Sequence, residues 1–181
     1  MGHREGAGVS FDADRLKELM QSRGLTLSVA ESLTSGRIQA AVGAASGASN
    51  YFLGGVTVYT IDQKVRHLHV DRQHAEAVNA VSARVAEEMA RGVAWLFRSD
   101  YSVSTTGYAE PSPNDGVPDP FAHVAVWQRS GEEGLLIFSG VFSGPGLSRI
   151  EMQQRVAEFV LGHLQDHLED SFGQFTGRVG L

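Results

Sequence analysis

The sequence predicts an α/β protein, a three-layer α/β/α domain built around a mixed β-sheet. Three observations lead to that class. Leu25, Leu27 and Val29 alternate with Thr26, Ser28 and Ala30 as a strand does, and the chain then crosses small and hydroxyl residues into a helical run from Arg37. Helical and strand patterns go on alternating to about residue 106. Late in the chain, Phe121 to Gln128 and Leu135 to Phe142 can pair as a hairpin around Arg129 to Gly134.

Size and composition narrow the class further. With 181 residues and 42% hydrophobic content, one good core fits and two ordinary domains do not. The expected division is a loose, Gly-rich segment over 1–9, a single domain over 10–170 and a tail over 171–181. There is no cysteine, which removes disulfides, thiolate chemistry and zinc–cysteine sites. A formal charge of −6 argues against a nucleic-acid partner, because phosphate contacts call for a basic surface. No apolar run approaches the ~20 residues of a membrane span, and MGHREGAG lacks the apolar centre of a signal peptide, so no membrane contact and a cytoplasmic location are expected.

The elements follow in order. Ser10 or Asp12 can cap a first helix whose buried stripe is Leu16, Leu19 and Met20, with Gly24 near its C-terminal end. The strand from Leu25 comes next, then a helix from Arg37 to about Ala45 and turn chemistry over 46–50. Tyr51 to Tyr59 has a β-rich second half, where Val56 and Val58 alternate with Thr57 and Tyr59. From Asp62 to Val70 the pattern is helical, with Val65 and Leu68 pointing inward and Lys64 and Arg66 elsewhere. A short segment over 73–77 leads to Ser82, which caps a strong helix through Arg98 with Val85, Met89, Val93 and Leu96 on one face. Asp100 to Thr106 reads as a strand. The Pro, Asn, Asp and Gly loop that runs on to Pro120 is longer than a plain connection needs, which suggests a rim or lid. The last helix, from about Leu147 to His167, turns Ile150, Val156, Phe159, Val160 and Leu164 inward.

Chemistry concentrates after the first strand. The loop sets Glu31, Ser32, Thr34 and Ser35 beside helix N–H groups that lack partners, where an anion such as a phosphate is favoured. Ser32 or Thr34 serving simply as an N-cap explains the same residues. Ligands of open α/β sheets lie beyond the carboxyl ends of strands, where Ser32 and Thr106 both fall. His163 and His167, one helical turn apart, could bind a metal on a helix face, but a solvated face explains them as well and no third ligand accompanies them.

Taken together, several motifs are more specific than any one. Ala30-Glu31-Ser32-x-Thr34-x-Gly36 follows a strand; Tyr-Phe-Leu-Gly-Gly-Val follows at 51–56; Lys64 comes five residues after Tyr59; Ala-Val-Ser stands at 80–82 and Thr106-Gly107 later. With Ser148-Arg149 and Arg155 in the last helix, this ordered set resembles the C-terminal domain of the CinA family, over about Leu16 to Leu168. The resemblance implies that family's α/β fold and, for active members, an amidohydrolase of pyridine nucleotide salvage, which converts nicotinamide mononucleotide to nicotinate mononucleotide and ammonia. The separate N-terminal domain of longer members is not expected in 181 residues. By the same resemblance Ser32 is the nucleophile and Tyr59 and Lys64 its catalytic neighbours, while Glu31, Thr34, Ser35, Gly36, Thr106, Gly107 and Arg149 bind substrate, Arg149 at the phosphate. A lysine desolvated in a pocket can act as a base at neutral pH, and Tyr59 could orient it or relay its proton. A solvated lysine and an edge-strand tyrosine are the plain readings of those two residues.

Departures accompany the matches. Active relatives read Cys and Gly where this chain has Leu33 and Ser35, and Gly where it has Glu110. These changes motivate the alternative of a catalytically silent CinA-like protein that binds a small anionic metabolite or a protein partner. The expected ligand is a small nucleotide; neither a metal nor another cofactor is required, and a homo-oligomer is expected from an exposed apolar run at Tyr51 to Leu53.

Overall fold

A computed structural model describes residues 10–131 and 133–176. The expected loose segment at 1–9 lies outside the described residues. The elements are α1 (Ala13–Gln21), β1 (Leu27–Glu31), α2 (Arg37–Gly43), β2 (Phe52–Thr57), α3 (Ile61–Leu68), α4 (Arg72–Ala77), α5 (Ala83–Phe97), β3 (Tyr101–Tyr108), β4 (Phe121–Gln128), β5 (Leu135–Ser143) and α6 (Arg149–Thr176). They form a five-stranded sheet in the order β2-β1-β3-β4-β5. β1 is parallel to β2 and β3, and β4 runs antiparallel to both β3 and β5, so the sheet is mixed.

Helices cover both faces, which is the three-layer α/β/α arrangement. On one side Leu27, Val29, Tyr101, Val103, Val124 and Val126 pack under α1, α2 and α6, through Leu16, Ile38, Val42, Val156, Val160 and Leu164 among others. The other side meets α5, against which α3 also packs. Side-chain caps start α1, α3, α4 and α5: Asp12 accepts from Arg15 N–H, Thr60 from Gln63 N–H, Asp71 from His74 N–H and Ser82 from Val85 N–H.

The hydroxyl residues that alternate along β1 and β3 do not face water. Ser102 Oγ donates to Ala90 O (2.6 Å), Ser104 Oγ to Ala86 O (2.5 Å) and Thr106 Oγ1 to Ala80 O (2.7 Å), while Ser28 Oγ donates to Val93 O (3.2 Å). Ala86 and Ala90 keep that face of α5 thin enough for its carbonyls to be reached, while Gly92 turns to α3. A Cβ on Gly92 would collide with the Leu68 carbonyl at the end of α3.

Several expectations change. β2 begins at Phe52, before its β-rich half, and Tyr51 is fully buried with its hydroxyl donating to Val42 O, so the apolar run offered for a subunit contact reduces to a half-buried Phe52 and an exposed Leu53. Leu96 is exposed because Phe97 takes the inward place, against Gly54. Ile150 is exposed as well, the first inward positions of α6 being Met152 and Gln153. The tail expected from 171 begins as helix, since α6 runs on to Thr176 and nothing up to that point breaks it; residues 177–181 lie outside the described residues. His163 stacks on Phe138 and His167 packs against Tyr101, and burial holds both imidazoles below their ordinary pKa. Among the described residues, no group of three metal-binding side chains gathers and no helix is long and apolar enough to cross a membrane.

Candidate active site

β1 delivers Glu31 and then Ser32 to the carboxyl edge of the sheet, between β2 and β3. The fully buried Glu31 carboxylate accepts from the N–H groups of Gly36 (2.8 Å), Ile38 (3.2 Å) and Gln39 (3.0 Å). The chain therefore fills its own helix start: the end of α2 that the sequence leaves open to a bound anion is already occupied by a carboxylate. Left-handed backbone at Ser35 (φ 50°) and Gly36 (φ 94°) lets the loop double back to make these bonds. Ser35 itself is exposed, and Thr34 is buried against the Thr105 hydroxyl at 2.9 Å. Glu31, Thr34, Ser35 and Gly36 thus shape the loop and do not line the clefts beside it.

Ser32 is nearly buried, and its Oγ accepts from Lys64 Nζ at 2.9 Å. The lysine is on the inward face of α3, one turn before Leu68, which corrects its expected outward position. It is 1% exposed. Its ammonium also donates to the carbonyls of Val58 (2.8 Å) and Tyr59 (3.3 Å), so all three donors are used. Burial lowers its pKa from the usual 10.5 to about 8.

Tyr59 contributes differently from expectation. Its carbonyl touches Lys64, but its half-exposed phenol points away and accepts from Arg149 Nη2 at 2.8 Å. Arg149 Nη1 donates in turn to Glu110 at 2.6 Å. Ser32 and Lys64 open on a cleft of about 230 Å³ walled by Thr106, Gly107, Tyr108 and Asn79. A second cleft of about 200 Å³ shares Leu33, Tyr59, Gly107 and Tyr108 with it and extends to Glu110 and Arg149. Gly107 has a packing reason as well, since a Cβ there would strike the Phe121 carbonyl of β4.

Two supports escape a sequence reading. Gln153 of α6, 4% exposed, donates from Nε2 to Leu33 O at 2.7 Å and fixes that peptide. The available signal is its inward position on the helix, four residues after Arg149 and three before Val156. Asn79 and Ala80 are consecutive left-handed residues (φ 49° and 57°) on the cleft wall, where Asn79 Nδ2 donates to the Tyr108 hydroxyl. Asparagine tolerates that conformation better than most residues, but Ala80 carries no such hint. Among the described residues, the N–H groups of Leu33 and Thr34 have no acceptor, whereas those of Ser35 and Gly36 are taken.

Residues 11–168 match the family model described as the CinA C-terminal domain. A CinA-like protein from Chlorobium limicola is 35% identical over 156 residues, covering 86% of this chain and 36% of its own length. Another from Shewanella sediminis is 36% identical over 135 residues, covering 74% of this chain and 31% of its own. The chain thus spans about a third of the length of these curated relatives. The crystal structure of the competence/damage inducible protein CihA from Agrobacterium tumefaciens superposes with a TM-score of 0.77 at 27% identity, covering 87% of this chain and 93% of that one.

Proposed function

Since the chain belongs to the CinA C-terminal domain family, we propose that it is a serine amidohydrolase that converts nicotinamide mononucleotide to nicotinate mononucleotide and ammonia. The observation that carries this reading is the Lys64 amine 2.9 Å from the Ser32 hydroxyl, buried so that its pKa falls to about 8. In the neutral amine two N–H bonds remain on the Val58 and Tyr59 carbonyls, and the lone pair is left facing Ser32. Lys64 takes the hydroxyl proton as Ser32 Oγ attacks the carboxamide carbon. We assign the oxyanion to the N–H of Leu33, a residue of the cleft wall whose N–H has no acceptor among the described residues; one such donor is worth ~3 kcal/mol in other acyl-transfer enzymes. The lysine ammonium then protonates the departing amine, ammonia leaves, and an ester on Ser32 remains. Water attacks that ester with Lys64 again as base, which releases the carboxylate and restores the serine.

The test is ammonia release from nicotinamide mononucleotide by wild type, Ser32→Ala and Lys64→Met. Release by wild type that falls by about a thousandfold or more in each variant supports the reading. Unchanged release in Ser32→Ala, or none from folded wild type, overturns it. The Glu110 carboxylate on Arg149 favours a second reading, a CinA-like protein that binds a small metabolite without hydrolysing it; binding without turnover decides for that one.

A further inference from the structure

The chemistry at Ser32 leaves one charged contact unused. Arg149 holds Glu110 at 2.6 Å with one nitrogen and the Tyr59 hydroxyl at 2.8 Å with the other. The pair lines the second cleft, and with side chains 43% and 59% exposed it is open to a ligand from solvent. Ion pairs so exposed add little to stability, so a ligand can compete for either partner. Tyr59 gives the direction: its carbonyl touches Lys64 and its phenol touches Arg149, so its length joins the nucleophile to the guanidinium. A ligand whose carboxamide lies at Ser32 and whose far end reaches Arg149 runs along that side chain. Arg149 is the one arginine lining either cleft among the described residues.

We propose that Glu110 is a specificity-determining residue that holds Arg149 against a terminal phosphate. Arginine binds a phosphate as it binds a carboxylate, through paired N–H donors, so the two compete for the same guanidinium. A phosphate that reaches Arg149 must displace Glu110 and then lie beside its charge. The unphosphorylated carboxamide nucleoside meets neither obstacle. This rests on the amidohydrolase reading for the orientation of the ligand; it weakens the hold of the site on the mononucleotide and narrows its preference over the nucleoside.

Binding measured by calorimetry separates the possibilities, in a Ser32→Ala background that leaves ligands intact. The ligands are nicotinamide mononucleotide and nicotinamide riboside; the proteins carry Glu110, Glu110→Gln, Glu110→Gly, or Glu110→Gly together with Arg149→Met. Glu110→Gln removes the charge and keeps the bulk. Both single variants should bind the mononucleotide about tenfold tighter, which is about 1.4 kcal/mol, with riboside affinity changed less than twofold and the gain lost in the double variant. Equal changes for both ligands, no change for the mononucleotide, a gain that survives without Arg149, or no binding to any of the proteins overturns the proposal. Failure of the amidohydrolase reading has a separate signature: these affinities hold, yet wild type releases no ammonia.

Discussion

Lys64 donates to the hydroxyl of Ser32 from 32 residues away, across the gap between α3 and the loop after β1. The contact exists because the lysine takes an inward helix position beside Leu68, a place that apolar residues ordinarily hold. Removing its charge from water is unfavourable, and the same burial leaves the amine neutral from about pH 8 while it is still basic enough to take a hydroxyl proton.

Activity and stability should both follow that amine. Hydrolysis rises with pH through about 8 and then levels, because the neutral form is the base. Folded Lys64 titrates near 8 and unfolded Lys64 near 10.5, so between those values the unfolded chain binds the extra proton and stability rises with pH. Relative to Lys64→Met, wild type should therefore gain on the order of 2–3 kcal/mol as pH rises across that window. Urea unfolding of both proteins at pH 7 and pH 10 measures the difference; parallel behaviour would contradict the burial argument.

Tyr59→Phe removes a hydroxyl that faces Arg149 and leaves the carbonyl that holds Lys64. Steady-state kinetics should show kcat falling less than about threefold with a larger rise in KM, each tenfold in kcat/KM corresponding to about 1.4 kcal/mol. A collapse of kcat with KM preserved would return the phenol to the proton pathway.

Glu31→Gln keeps the shape of the side chain but exchanges a carboxylate holding three N–H groups for a neutral amide. Denaturant unfolding should register a loss of about 1–3 kcal/mol. Ammonia release should fall as well, since the loop it fixes carries Ser32. Wild-type stability in this variant would mean that the helix start is satisfied by water.

Gly92→Ala places a methyl on the Leu68 carbonyl and must push α5 from α3. Destabilisation of about 1–3 kcal/mol is expected, and because Lys64 lies one turn before Leu68, kcat should drop too. Thermal melting and kinetics on one preparation read both effects.

Alternating Leu27 and Val29, Tyr101 and Val103 made the strands legible, and the capping residues Asp12 and Ser82 marked their helices. Periodicity misplaced Lys64 because it counts every lysine as outward, though only the backbone carbonyls waiting at the end of β2 make an inward one tolerable. Glu31 was legible as part of a motif, but its partners lie five to eight residues on, and spacing does not show a side chain that bends back to its own helix. Tyr59 was found by its distance from Lys64 along the chain, a measure that cannot tell its carbonyl from its phenol. Gln153 was invisible for a different reason: its partner is a backbone carbonyl 120 residues earlier.

That last bond also sets an order of events during synthesis. Ser32 and Lys64 are made before Gln153, which steadies the peptide beside the nucleophile and is added 120 residues after Leu33. At 5–20 residues per second that interval is roughly 6–24 s. Until α6 is made, the loop that carries Ser32 lacks its brace, and the sheet face shared by α1, α2 and α6 is only partly covered.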